Sequence, residues 1–241
     1  MILAPALFDK VVQRTMDGHH LEQIVRLLSK QGEIDDKFAS LLVEQLLSIC
    51  AIESGSVFFE FDRLIRSIFK HLIQTHPCEL WAKVSRLLVH NNTHDLFYLD
   101  RLIDDDRDDR LAAGILFGLP KAIYLDWVRA DQAARASIVA KWLPITSSES
   151  AGKLVWHADL ESYVNEFGRE PKVLDQLSRR MRPGGWCGSL VPHLEPMLRL
   201  LASWSKHPLA EVRTWANQQT QSIQREITDA WKRDEESGVR M

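Results

Sequence analysis

The sequence has few cysteines and no long apolar run. Its 241 residues include Cys50, Cys78 and Cys187, which are widely spaced and form no Cys-x-x-C pair. An odd number of cysteines at this spacing does not indicate a disulfide framework. No segment approaches the roughly 20 apolar residues that span a bilayer, and residues 1–6 do not resemble a secretory signal. We therefore expect a cytoplasmic protein in a reducing compartment.

The chain also lacks an excess of basic residues. Lysine and arginine number 30, against 33 aspartate and glutamate residues, and the formal net charge is −3. General nucleic-acid binders usually carry a basic surplus, so this balance favours a protein partner and makes nucleic acid an unlikely one. Hydrophobic residues make up 45% of the chain, which is enough for a sizeable core and argues against disorder.

Recognisable catalytic and metal-binding motifs are missing. No Gly-x-Ser-x-Gly elbow occurs, and Ser147 stands where a phosphate-binding loop ending at Lys153 would need glycine. His90 and His94 have helical ligand spacing but too few neighbouring ligands for a metal site. We expect no cofactor, no metal and no catalytic residue. A catalytic triad assembled by folding stays open, because its members need not be adjacent in the sequence.

What the sequence contains is one helical pattern after another. Apolar residues recur with a period near 3.6 over residues 58–73 and again after Pro77, and Asp131 is a candidate N-cap for a helix that Pro144 ends. No convincing strand pattern occurs. These features predict an all-α fold in a single domain over residues 1–241. The Ser-rich residues 146–152 predict a loop or internal boundary, and residues 234–241 a frayed polar tail.

The most informative stretch is residues 207–216, His-Pro-Leu-Ala-Glu-Val-Arg-Thr-Trp-Ala. An apolar run over residues 194–204 precedes it, and proline suits the first turn of the helix that follows. That second helix would place four apolar side chains on one face. They are Val212, Ala216, Ile223 and Ile227. The stretch therefore predicts a helical hairpin.

The pattern Pro208-x-x-x-Val212-Arg213-x-x-Ala216 resembles a HEAT repeat. A partial echo follows His76-Pro77, and a weaker one follows Asp131. The resemblance implies an α-solenoid, a superhelix of antiparallel helical hairpins, which acts as a non-enzymatic protein-binding scaffold. Two alternatives stay open: a nucleic-acid-processing enzyme of the DNA glycosylase type on the same scaffold, and a small helical toxin or immunity protein.

A second resemblance covers the last part of the chain. Arg-Pro-Gly-Gly-Trp-Cys-Gly-Ser at residues 182–189, followed by the hairpin and a charged tail, looks like the C-terminal ends of large bacterial helical-repeat proteins. Some of these belong to multidomain NTPase or defence systems. The resemblance implies a bacterial source and a partner within a larger multidomain assembly.

Three groups of residues are candidates for partner binding, each with a structural alternative. Trp186 lies in a glycine-rich loop and is either an exposed hot spot or, as we favour, a plug between repeats. The basic cluster of Arg179, Arg180 and Arg182 either binds a partner or complements a helix dipole. The acidic run that contains Asp104, Asp105 and Asp106 either docks a basic partner or is a solvated turn.

Overall fold

The computed structural model describes residues 36–52, 56–89, 114–148, 154–182 and 187–237. These residues are mostly helical, which confirms the all-α class; a solenoid arrangement stays a prediction. The elements in chain order are α1 (Asp36–Ile52), α2 (Ser56–Thr75), α3 (Pro77–Val89), a 3-10 turn (Ile115–Gly118), α4 (Lys121–Ala130), α5 (Gln132–Val139), β1 (Thr146–Ser148), β2 (Leu154–Trp156), α6 (Ala158–Phe167), α7 (Pro171–Arg180), α8 (Val191–Trp204) and α9 (Ala210–Ser237).

The chain forms two compact units, and the division falls within α4. The first unit contains α1, α2, α3 and residues 118–126, and the second contains residues 114–117 and 127–237 of the described chain. The Ser-rich segment proposed as an internal boundary has both of its described flanks, β1 and β2, inside the second unit. A boundary at residues 146–152 stays a prediction.

In the first unit, α1, α2 and α3 pack against one another. The apolar positions that recur with helical spacing form the core, and they include Leu42, Leu46, Ile68, Phe69, Leu72, Leu80 and Val84. Only His76 separates α2 from α3, and Pro77 is the first residue of α3, where its missing N–H costs no helical hydrogen bond. His76 is buried and its Nε2 lies 3.5 Å from Asp36 Oδ1. His76 is therefore a packed residue of the junction between α2 and α3.

In the second unit, α8 and α9 form the predicted helical hairpin, with α7 packed on α5 and α9 and with β2 on α8. Val212, Ala216 and Ile223 are fully buried on the inner face of α9, while Ile227 is half-buried. The helix begins at Ala210 rather than at Pro208. The N–H of Arg213 donates to the Leu209 carbonyl, so helical bonding starts after the proline.

Two further boundaries differ from the sequence prediction. The side chain of Asp131 accepts a hydrogen bond from the Ala134 N–H and caps α5 as predicted, but α5 ends at Val139, before Pro144. At the other end of the unit, α9 continues to Ser237. Asp234, the first residue of the predicted tail, is helical and accepts a hydrogen bond from Ser189 Oγ. A contact distant in sequence thus holds this part of the helix.

The prediction that the fold has no strands was wrong. β1 pairs antiparallel with β2, and Thr146 lies opposite Trp156. Each strand has three residues, too few for an alternating pattern to stand out in the sequence. Trp156 is 5% exposed, so burial of this one large side chain, together with the pairing, fixes the hairpin on the helical core.

Gly168 permits a close approach between α6 and the beginning of α9. A Cβ atom at this position would lie 2.9 Å from Val212 Cγ2 and even closer to the Val164 carbonyl oxygen. Gly168→Ala should therefore lower the free energy of unfolding by about 1–3 kcal/mol, as overpacking does in other cores. Urea denaturation measures the change. The exposed Asn165→Ala on α6 is the control, and an equal loss in both variants would contradict the steric explanation.

Candidate partner-binding surface

The His-Pro turn between α8 and α9 has a structural explanation. Arg213 Nη1 donates to the carbonyls of His207 and Pro208, at 2.7 and 2.8 Å. These carbonyls lie in the turn, where no helical N–H is in place to donate to them. The guanidinium donates to them instead. The neighbouring Val212 is fully buried. In the Val-Arg pair of the repeat-like pattern, Val212 therefore packs in the core and Arg213 binds the turn.

Three tryptophans join the hairpin to the rest of the second unit. Trp156 stacks on Trp204 with ring centroids 3.9 Å apart, and Trp204 lies 5.8 Å from Trp215. The indole N–H of Trp215 donates to Ser178 Oγ at 2.8 Å, and that of Trp156 to the Leu200 carbonyl. All three rings are at most 6% exposed. These residues pack the core and are unavailable to a partner.

The structure separates the three arginines of the predicted basic cluster. Arg179 is exposed at the end of α7, where a cation complements the helix dipole. Arg180 is 7% exposed, and its Nη1 donates to the carbonyls of Ala140 and Leu143. Arg180 therefore lies in the interior, and its assignment to a partner-binding surface needs correction: it satisfies carbonyls at the end of α5 and in the turn that follows.

Arg182 is committed to contacts with α9. Its Nη2 lies 2.9 Å from Glu226 Oε1 and donates to Ser222 Oγ at 3.1 Å. The half-buried guanidinium thus attaches the residue after α7 to the middle of α9. Trp186 and the acidic run containing Asp104, Asp105 and Asp106 lie outside the described residues, as do His90 and His94.

One exposed surface of α9 combines polar, charged and aromatic side chains. We define the outer face of α9 as Gln221, Gln224, Arg225, Thr228, Asp229 and Trp231. The first five line a shallow depression of about 450 Å³. Trp231 lies seven residues after Gln224 and three residues after Thr228. At this spacing the three side chains are neighbours on the helix surface. Trp231 lies between these polar positions and the buried side of the helix, which carries Val212, Ala216 and Ile223.

Trp231 is the residue that the sequence interpretation missed. It is 38% exposed, and Val89 is the other exposed large apolar side chain among the described residues. The signal was present in the sequence: extending the helical spacing of Ile223 and Ala216 along α9 places Ala230 inward and Trp231 beside the polar positions.

Among the described residues, two histidines have lowered pKa values. Burial lowers the pKa of His207, Glu161 raises it and Arg213 lowers it. Burial also lowers the pKa of His71, with a smaller contribution from His76. Within the described ranges, no three His, Cys, Asp or Glu side chains are grouped to hold a metal ion. In the same part of the chain, no helix combines the length and apolarity needed to cross a membrane.

Comparison with known proteins finds no matching family model, no matching curated protein and no matching solved structure.

The role assigned to Arg180 predicts a large effect on stability. Arg180→Met keeps much of the apolar stem and removes the donors to Ala140 and Leu143, which leaves buried carbonyls without this partner. We expect a loss of about 2–4 kcal/mol in the free energy of unfolding. The matched variant Arg179→Met should change it by less than about 0.5 kcal/mol, because that side chain is exposed. Similar effects of the two variants in urea denaturation would contradict the assignment.

Proposed function

We propose that this protein is a non-enzymatic recognition module built on HEAT-like helical hairpins, and that it binds a protein partner through the outer face of α9. The observation that carries the proposal is the exposure of Trp231 beside a shallow polar depression. Tryptophan and arginine are the side chains most enriched at the energetic centres of protein interfaces. Here Trp231 and Arg225 lie two helical turns or less apart on one helix.

The neighbouring side chains suit a protein partner. Gln224 offers an amide with both donors and acceptors, Thr228 a hydroxyl, and Arg225 and Asp229 charges of opposite sign. A surface of this kind can pair with polar groups around a central apolar contact. It lacks the single-sign basic charge by which proteins hold the phosphates of nucleic acids.

The helical-repeat part of the proposal is supported by two similar junctions. In each compact unit, a buried histidine followed by proline lies between two packed helices: His76-Pro77 between α2 and α3, and His207-Pro208 between α8 and α9. Helical hairpins of this kind bury one side of each helix and leave the other side free to vary. The outer face of α9 is such a side.

The proposal predicts that one exposed side chain accounts for much of the binding. The full chain is immobilised and incubated with extract from cells of its source, and proteins that it retains are purified and tested directly by titration calorimetry. Trp231→Ala should raise the dissociation constant for the genuine partner about tenfold or more. Val89→Ala, which also truncates an exposed apolar side chain, should leave it unchanged.

A charge variant separates binding from folding. Arg225 is exposed, so Arg225→Glu should preserve the circular dichroism spectrum and the melting temperature. The same substitution should lower the affinity for the partner. Equal binding by wild type, Trp231→Ala and Arg225→Glu would refute the assignment of this surface. Tight, salt-sensitive binding to damaged DNA in a mobility-shift assay would instead favour the glycosylase-type alternative.

A further inference from the structure

The ring of His207 forms a hydrogen bond with Leu209, the residue immediately before α9. Its Nδ1 accepts a hydrogen bond from the Leu209 N–H at 3.2 Å. A backbone amide can only donate, so Nδ1 must carry a lone pair and the proton of the neutral ring must be on Nε2. The ring is 8% exposed and meets the edge of Trp204, with centroids 5.8 Å apart. The fold thus requires one neutral tautomer at this position.

Protonation would remove the acceptor. An imidazolium has N–H groups at both ring positions, and its Nδ1–H would face the Leu209 N–H at hydrogen-bond distance. The cation would also be buried against the indole of Trp204. Two charged groups act on the ring from elements packed around it: Glu161 on α6 favours the cation, and Arg213 on α9 opposes it.

We propose that His207 is a pH-sensitive switch at the junction of α8 and α9, whose protonation releases Leu209, the residue before α9, from the His207 ring that packs on Trp204. The step is the addition of one solvent proton to Nδ1 and the loss of the hydrogen bond from the Leu209 N–H. The site is independent of the outer face of α9, although it lies at the beginning of the same helix.

The direction of the pH effect follows from the burial of the ring. The folded-state pKa of His207 lies below the ordinary value of 6.5, so the unfolded chain binds the proton more readily. The contribution to stability is complete above pH 6.5 and is lost as the pH falls from there through the folded-state pKa. We therefore expect the junction between α8 and α9 to loosen at mildly acidic pH.

The chain contains a matched control in His157. Its Nδ1 accepts from the N–H two residues on, that of Asp159, at 3.2 Å, and His157 is the N-cap of α6. In contrast to His207, this Nδ1 also lies 3.6 Å from a carboxylate oxygen of Asp159. His157 therefore provides a second histidine with the same kind of hydrogen bond, placed at a different helix.

The test compares unfolding of the full chain at several pH values for wild type, His207→Asn and His157→Asn. Asparagine retains a side-chain oxygen for the cap but does not titrate near neutrality. Between about pH 7 and pH 5.5, the unfolding constant of wild type should rise several-fold more than that of His207→Asn, since unfolding takes up as much as about one extra proton. His157→Asn retains His207 and controls for replacing a capping histidine, so it should keep the larger rise, and His71 is unchanged in all three proteins.

Equal pH dependence of wild type and His207→Asn would overturn the proposal. NMR titration of the His207 ring in the unmodified protein gives a second measurement that does not require the variant to fold. A neutral ring protonated on Nε2, with a pKa below 6.5 and a change in tryptophan fluorescence over the same pH range, supports the switch. A ring protonated on Nδ1, or a pKa of 6.5 or above, contradicts it.

Discussion

The packing of Trp204 is the interaction on which the second unit depends. Its ring contacts Trp156 from the strand pair, Trp215 from α9 and His207 from the turn. Trp156 and Trp215, which both contact this ring, are 59 positions apart in the chain. Large aromatic rings bury much apolar area and hold preferred relative orientations. One side chain thereby aligns a strand, two helices and their connection.

The regular parts of this fold were readable from the sequence. The inward positions of α9 at Val212, Ala216 and Ile223 repeat with helical spacing, and burial of that face follows directly. The cap at Asp131 was equally local, since its partner is only three residues away. Features of this kind require no knowledge of distant contacts. They identify the helices of the hairpin from local spacing alone.

The features that could not be read depend on residues far apart in sequence. Arg180 looked like one member of an exposed basic cluster, yet its hydrogen-bond partners are 37 and 40 residues away. The strand pair depends on the burial of Trp156 against α8 rather than on strand propensity. The exposure of Trp231 was accessible from helical spacing alone. The neighbours Arg179 and Arg180 therefore have opposite environments, and only the packing distinguishes them.

The stacked pair of Trp156 and Trp204 has an optical consequence. With ring planes 17° apart and centroids 3.9 Å apart, the two indoles are close enough for their electronic transitions to couple. Coupled chromophores of this kind contribute an exciton signal to circular dichroism, and its amplitude falls steeply when the rings separate. The second unit therefore contains a natural chromophore pair that reports on the contact between β2 and α8 without any added label.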